Sequence, residues 1–320
     1  MQHTHNITLP EQTLVLLNTY LSQAISHAGK PLTIDPAVLA YRWVADASNI
    51  NGGHLEPITM DITGATAIQL SDLLGIERQK QRLINNTRQF LQGLPANHVL
   101  MTGTRGGGKS SLVRALLSQF ATDGLRLIEV ARMDLSALDK IRQAVSALAE
   151  HANVRYVVYC DDLAFDKQDE SYRALKSVLD GSLSSEQDKL LVYATSNRRH
   201  LLPQLMKDNR DIYNGQTDEV NPYETIDETV SLSDRFGIWL SFQPMTQDTY
   251  VSIARHYVYK LSNSHLSDSR GATTINLANM NEEITNNAIR FASERGGRSG
   301  RVAYQFARDW VGKIGLTKVS

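Results

Sequence analysis

The chain has 320 residues, 42% of them hydrophobic, enough for a substantial core shared among two or three units, which excludes a disordered protein. A formal net charge of -1 removes any global pull toward nucleic acid or an anionic membrane. The single cysteine, Cys160, excludes an internal disulfide framework and suits a reducing compartment.

The first residues lack the basic region and long apolar core of a secretory signal, and the cluster Leu14–Leu17 is too short to span a bilayer. The expectation is a soluble, cytoplasmic protein. In "EQTLVLLNTYLSQAISHAG", Leu14, Leu17, Leu21, Ile25 and Ala28 share one helical face, and Gly29 and Pro31 end the element. A second short helix is expected after Pro36, and "SNINGGHLEP" (48–57) reads as a linker. Residues 1–70 are thus expected to form a helical extension.

From about Leu73 to Phe242, amphipathic runs alternate with short continuous apolar ones: "HVLM" (98–101), "LRLIEV" (125–130), "VRYVVYC" (154–160), "LLVYAT" (190–195) and "IWLSF" (238–242). Continuous apolar strands separated by helices predict a five-stranded parallel sheet sandwiched by helices, an α/β unit over 71–243. After Pro244 the pattern turns helical, roughly 247–261, 280–294 and 300–313, which predicts a small all-α domain over 244–320.

"MTGTRGGGKSSLVRALL" holds the most specific signal. Gly103, Gly108, Lys109 and Ser110 stand in G-x-x-x-x-G-K-[ST] order, directly after a strand and before an amphipathic helix. Glycines at 103, 106, 107 and 108 let the loop from Thr104 and Arg105 to Ser111 wrap closely, so that backbone N–H groups converge on a phosphate at the positive end of the helix. Lys109 would bridge the β- and γ-phosphates of ATP, and Ser110 would ligate Mg²⁺.

The metal needs a second anchor and an attacking water needs orientation. "VRYVVYCDDLAF" delivers Asp161 and Asp162 at the C-terminal edge of a strand, where open α/β sheets bind ligands. Asp161 is assigned to Mg²⁺ and Asp162 to polarising the nucleophilic water; a helix cap or turn is the competing reading. Asn197, just past the next strand, could hold that water or touch the γ-phosphate, or simply form a turn. Arg235 precedes the fifth strand, and Arg298 and Arg301 open the last helix after two glycines. Arginine suits phosphate recognition, although each alone also fits a solvated surface group.

Together these landmarks resemble the AAA+ superfamily over about three quarters of the chain. "GTRGGGKS" is similar to its Walker A, "VVYCDD" to its Walker B, "ATSN" to its sensor 1, "SDRFG" to its arginine-finger box and "SGRVAYQF" to its sensor 2. "LLGIERQKQRLINNTRQFLQGLPANHVL", with Leu74 and Gly75, looks like the segment that packs on the adenine. The wording "GIERQK", "GLPANHVL", "GKSSLV" and "SLSDRFG" resembles an uncharacterised bacterial branch of AAA+ ATPases defined as a domain of unknown function. The resemblance implies ATP hydrolysis, with Lys109, Asp161, Asp162, Asn197 and Arg235 as catalytic residues. It also implies a ring or helical oligomer in which Arg235 reaches nucleotide held by a neighbouring subunit, while Arg301 contacts nucleotide in its own.

One departure concerns rate. The superfamily usually has Asp-Glu where this chain has Asp161-Asp162, and the shorter acid must sit closer or act through another water. A slow nucleotide-dependent switch or loader therefore competes with a remodelling motor, and a P-loop kinase is a third alternative. The client, protein or nucleic acid, is not legible; it would be met by residues 1–70 or by the acidic segment 207–234.

Overall fold

A computed structural model describes residues 13, 32–46, 52–64, 67–148, 153–165, 171–180, 189–198, 234–265 and 280–317. The helix expected over residues 14–28 and all of the acidic segment except Asp234 lie outside the described residues. The five apolar runs form the expected parallel strands: β3 (Val99–Gly103), β4 (Leu125–Val130), β5 (Arg155–Cys160), β6 (Leu190–Ser196) and β7 (Ile238–Phe242). Their buried positions are mostly apolar because helices cover both faces of the sheet centre, where all seven residues of β6 are buried, whereas the edge strand β7 alternates buried and exposed residues.

The sheet nevertheless has seven strands, in the order β2-β1-β4-β5-β6-β3-β7. No helix follows Pro36: the chain makes a turn and enters β1 (Ala40–Ala45), parallel to β4, and β2 (Gly53–Pro57) returns antiparallel at the edge. Aromatic and β-branched residues in "AYRWVA" favour a pleated strand. Tyr41 and Trp43 enter the core while Arg42 points outward to Glu129, 3.0 Å away. The stretch read as a linker therefore contains an edge strand. Its Gly53 lets the hairpin close on Trp43, since a Cβ there would stand 2.3 Å from the indole ring.

Helices cover both sheet faces. On one, α1 (Glu77–Leu91) and α2 (Lys109–Phe120) bury Leu83, Phe90, Leu112, Leu116 and Phe120 against β3, β4, β5, β6 and β7. On the other, a 3-10 segment (Arg132–Ala137), α3 (Leu138–Ser146) and α4 (Ser171–Leu179) bury Leu135, Leu138, Ile141 and Leu175. A third core lies among α5 (Gln247–His265), α6 (Asn281–Glu294) and α7 (Gly300–Thr317), built on Tyr250, Val258, Ile284 and Phe306. Alanines 254, 288, 303 and 307 are fully buried there, small enough to let these helices approach closely. Among the described residues, no helix is long and apolar enough to cross a membrane.

Candidate functional site

The site begins where β3 leaves the sheet. β3 lies between β6 and β7 while the chain continues to distant β4, so its C-terminal end is the point at which strand order reverses. Gly103 has φ 128°, and a Cβ on it would come 2.0 Å from the Phe242 carbonyl oxygen, so only glycine fits. The loop turns through Gly106 and Gly108, both with positive φ, into α2. Gly108 caps α2 without any side chain, which leaves first-turn N–H groups available to an anion.

Lys109 is 6% exposed and folds back under this loop. Its Nζ donates to the carbonyls of Gly103 (2.7 Å) and Thr104 (2.9 Å) and to Asn197 Oδ1 (3.1 Å). Burial lowers its pKa, while the charges of Asp161 and Asp162 work in the opposite direction. Asn197 in turn donates from Nδ2 to Asp162 Oδ1 at 2.5 Å. A single amide thus ties the loop lysine to the second carboxylate.

Asp161 Oδ1 accepts from Thr195 Oγ1 (2.5 Å) and Ser110 Oγ (3.2 Å). Burial alone would raise the Asp161 pKa; hydrogen bonds, Thr195's foremost, outweigh it and hold the carboxyl below its usual range. Thr195 also accepts from the Asp162 backbone N–H at 2.9 Å, fixing the Asp161-Asp162 turn onto β6. Asp162 is the only non-glycine described residue with positive φ, 53°, and its other carboxylate oxygen lies 3.8 Å from Arg105. Ser110 and Asp161 together offer hard oxygen donors, which suit magnesium and fit no zinc-type ligand set. Among the described residues, no group of three or more His, Cys, Asp or Glu is arranged to hold a metal.

These groups line one end of a cleft of about 630 Å³. Arg105, Gly106, Gly107, Gly108, Ser110, Ser111 and Arg301 line it too, whereas Gly103 and Thr104 contribute through the carbonyls held by Lys109. Ile68, Leu74, Ile76, Met245, Ile253 and Tyr257 supply an apolar wall, and Asp72 and Lys260 line the cleft as well. Gly75 is not in this wall; its φ is 77°, and it packs against Thr249 of α5. Arg298 is exposed and lies outside the lining. Arg235 also lies away from the cleft, ahead of β7, where its Nε donates to Asp180 at the end of α4.

The family described as "Protein of unknown function (DUF815)" matches residues 37–314. The chain belongs to the DUF815 family. Its sheet order, the loop at the strand-order reversal and the helical unit closing the cleft make this DUF815 chain an AAA+ P-loop ATPase in fold. A probable spastin homologue from Brugia malayi is 23% identical over 201 residues, 55% of this chain and 44% of that protein. A replication factor C large subunit from Methanococcus maripaludis is 34% identical over 80 residues, 25% of this chain and 16% of that protein. The DUF815 chain therefore spans under half the length of either curated relative. Among solved structures it resembles the Thermotoga maritima RuvB Holliday junction branch migration motor (13% identity, TM-score 0.39, 76% of this chain and 72% of that one). It also resembles Hsp104 in its closed state (14% identity, TM-score 0.48, 78% of this chain and 46% of that one).

Three features of the DUF815 site escaped the sequence reading. Thr195 lies inside "ATSN", yet its grip on both Asp161 and the Asp162 backbone depends on strand register. Asp72, only 3% exposed, accepts from Lys260 Nζ (2.5 Å) and the Gln69 N–H (2.8 Å), and pairs with His256 Nε2 (2.8 Å). Burial would raise the Asp72 pKa, but these bonds, Lys260's first, bring it below the usual carboxylate value. Finally, the Gly300 N–H donates to the Gly106 carbonyl at 3.0 Å. The helical unit is thereby joined to the rest of the cleft at two places, the glycine loop and Asp72.

Proposed function

We propose that this chain binds Mg-ATP in the cleft and hydrolyses it. The observation that carries the reading is the convergence of Lys109, Ser110, Asp161, Asp162 and Asn197, from three separate strand ends, beside the opening N–H groups of α2, which no side chain caps. The loop amides and Lys109 bind the β- and γ-phosphates, and the apolar wall receives the base. Ser110 and Asp161 hold Mg²⁺, which when bound neutralises phosphate charge. Asp162, steered by Asn197, orients the attacking water and accepts its proton, and Arg301 reaches the phosphates from α7.

The chain works as an oligomer. Arg235, remote from its own cleft, serves the nucleotide of the next subunit, and closure of residues 244–317 over nucleotide drives a client of protein or nucleic acid. A slow nucleotide-dependent switch is the second reading, favoured by the short Asp162 carboxylate already engaged by Asn197.

The test is nucleotide binding and phosphate release measured against protein concentration. Lys109→Ala abolishes binding, and Asp162→Asn retains binding but loses turnover. Full steady-state turnover in Asp162→Asn would remove Asp162 from its role, and absence of Mg-ATP uptake by the wild type would remove the whole reading.

A further inference from the structure

The crest of the glycine loop is fastened on both sides of Arg105. Before it, the Thr104 N–H donates to the Phe242 carbonyl at 3.2 Å and Thr104 Oγ1 donates to the Gln243 carbonyl at 3.3 Å, which ties the crest to the end of β7. After it, the Gly106 carbonyl accepts from the Gly300 N–H at the start of α7. A residue between two such anchors has little backbone freedom, so the loop itself sets where its side chain starts. That side chain lines the cleft, is 82% exposed, and brings its guanidinium to 3.8 Å from Asp162 Oδ2. Asn197 engages the other oxygen, Oδ1, so Arg105 stands at the carboxylate oxygen that the amide does not hold. An ion pair this long, with both partners largely in solvent, contributes little and is easily exchanged. A phosphate offers the planar guanidinium more charge and several acceptors that match its fork of donors.

We propose that Arg105 is the residue that tells ATP from ADP: with ADP or an empty cleft it pairs with Asp162, and with ATP its guanidinium moves onto the γ-phosphate and leaves Oδ2 to the attacking water. One exchange then places positive charge at the phosphoryl group and uncovers the acid that orients the water. The assignment rests on the Mg-ATP reading above and deepens it, by giving the cleft a γ-phosphate sensor on its own loop, separate from the distant Arg235.

The experiment measures, by isothermal titration in Mg²⁺, the affinity of the full-length chain for the β,γ-imido analogue of ATP and for ADP. In Arg105→Gln the analogue is expected to bind about 10-fold more weakly, with ADP affinity and unfolding temperature as in wild type. Arg105→Lys, which keeps the charge but loses the fork, is expected to fall between the two. Arg298→Gln, at an exposed arginine outside the cleft lining, is expected to match wild type with both nucleotides. Wild-type affinity for both nucleotides in Arg105→Gln overturns the assignment and leaves the Mg-ATP reading intact. An equal loss for analogue and ADP overturns it as well, because Arg105 would then be shaping the loop and not reading the third phosphate. A matching loss in Arg298→Gln does the same, since net charge alone would explain it. A wild-type chain that takes up neither nucleotide overturns both readings.

Discussion

Asn197 and Asp162 are joined by a 2.5 Å hydrogen bond from the amide Nδ2 to the carboxylate, while the same amide accepts from Lys109 at 3.1 Å. The carboxylate is therefore aimed by a group that also senses the loop lysine. Asn197→Ala removes the donor from Asp162 and one of three acceptors from Lys109, whose two backbone acceptors remain. The expected outcome is turnover reduced about 100-fold with nucleotide affinity changed far less, checked by phosphate release alongside equilibrium binding.

Gly106→Ala tests the link between loop and helical unit. Gly106 has φ 71°, and an added Cβ would meet Ser299 Cβ at 2.6 Å, so the variant combines left-handed backbone strain of about 1 kcal/mol with a clash that separates α7 from the loop. Nucleotide affinity is expected to fall. Gly297→Ala, two residues before Ser299, meets nothing within 4 Å and is expected to bind as wild type. Isothermal titration of both variants separates a local clash from general sensitivity of this region.

The sheet was legible in the sequence and its edge was not. β5 and β6 are continuous apolar runs, and that pattern has few alternatives between helices. β2, "GHLEP", buries only Leu55 and exists because β1 pairs with it, so its cause lies outside its own residues. The glycine loop was legible because a phosphate cradle constrains spacing locally. Asp72 was not, since its partners Lys260 and His256 stand 188 and 184 residues away, and a lone aspartate in "QLSDLLG" carries no periodic signal.

Asp72→Asn removes the charge that faces Lys260 and His256, leaving two partly buried bases without their carboxylate. A destabilisation of about 3 kcal/mol is expected near neutral pH. The folded-state pKa of Asp72 lies below its ordinary value of 3.8, so its contribution is fully present above that value and is lost as pH falls through the lower, folded one. Chemical denaturation at pH 7 and again below pH 3.8 is expected to show the gap between wild type and variant narrowing in acid.

Arg235 donates to Asp180 of its own chain, which gives the ion pair a structural role to be separated from any role at a neighbour's nucleotide. Asp180→Asn is expected to retain turnover, whereas Arg235→Ala loses it while keeping nucleotide affinity. Mixing inactive Arg235→Ala with inactive Lys109→Ala is expected to restore part of the activity, because each Lys109→Ala subunit still presents an intact arginine to a competent cleft. No recovery on mixing would assign Arg235 to its own subunit.

The backbone at residue 162 has φ 53°, a left-handed conformation that aspartate and asparagine adopt more readily than other residues bearing a side chain. That handedness suits a compact acid whose oxygen meets Asn197 at once, and it disfavours the additional methylene of glutamate. A short second acid fits a corner that bends the unusual way. Replacing it by glutamate alone would lengthen the reach while spoiling the bend, so restoring the commoner pairing would require reshaping the corner and the neighbouring amide together.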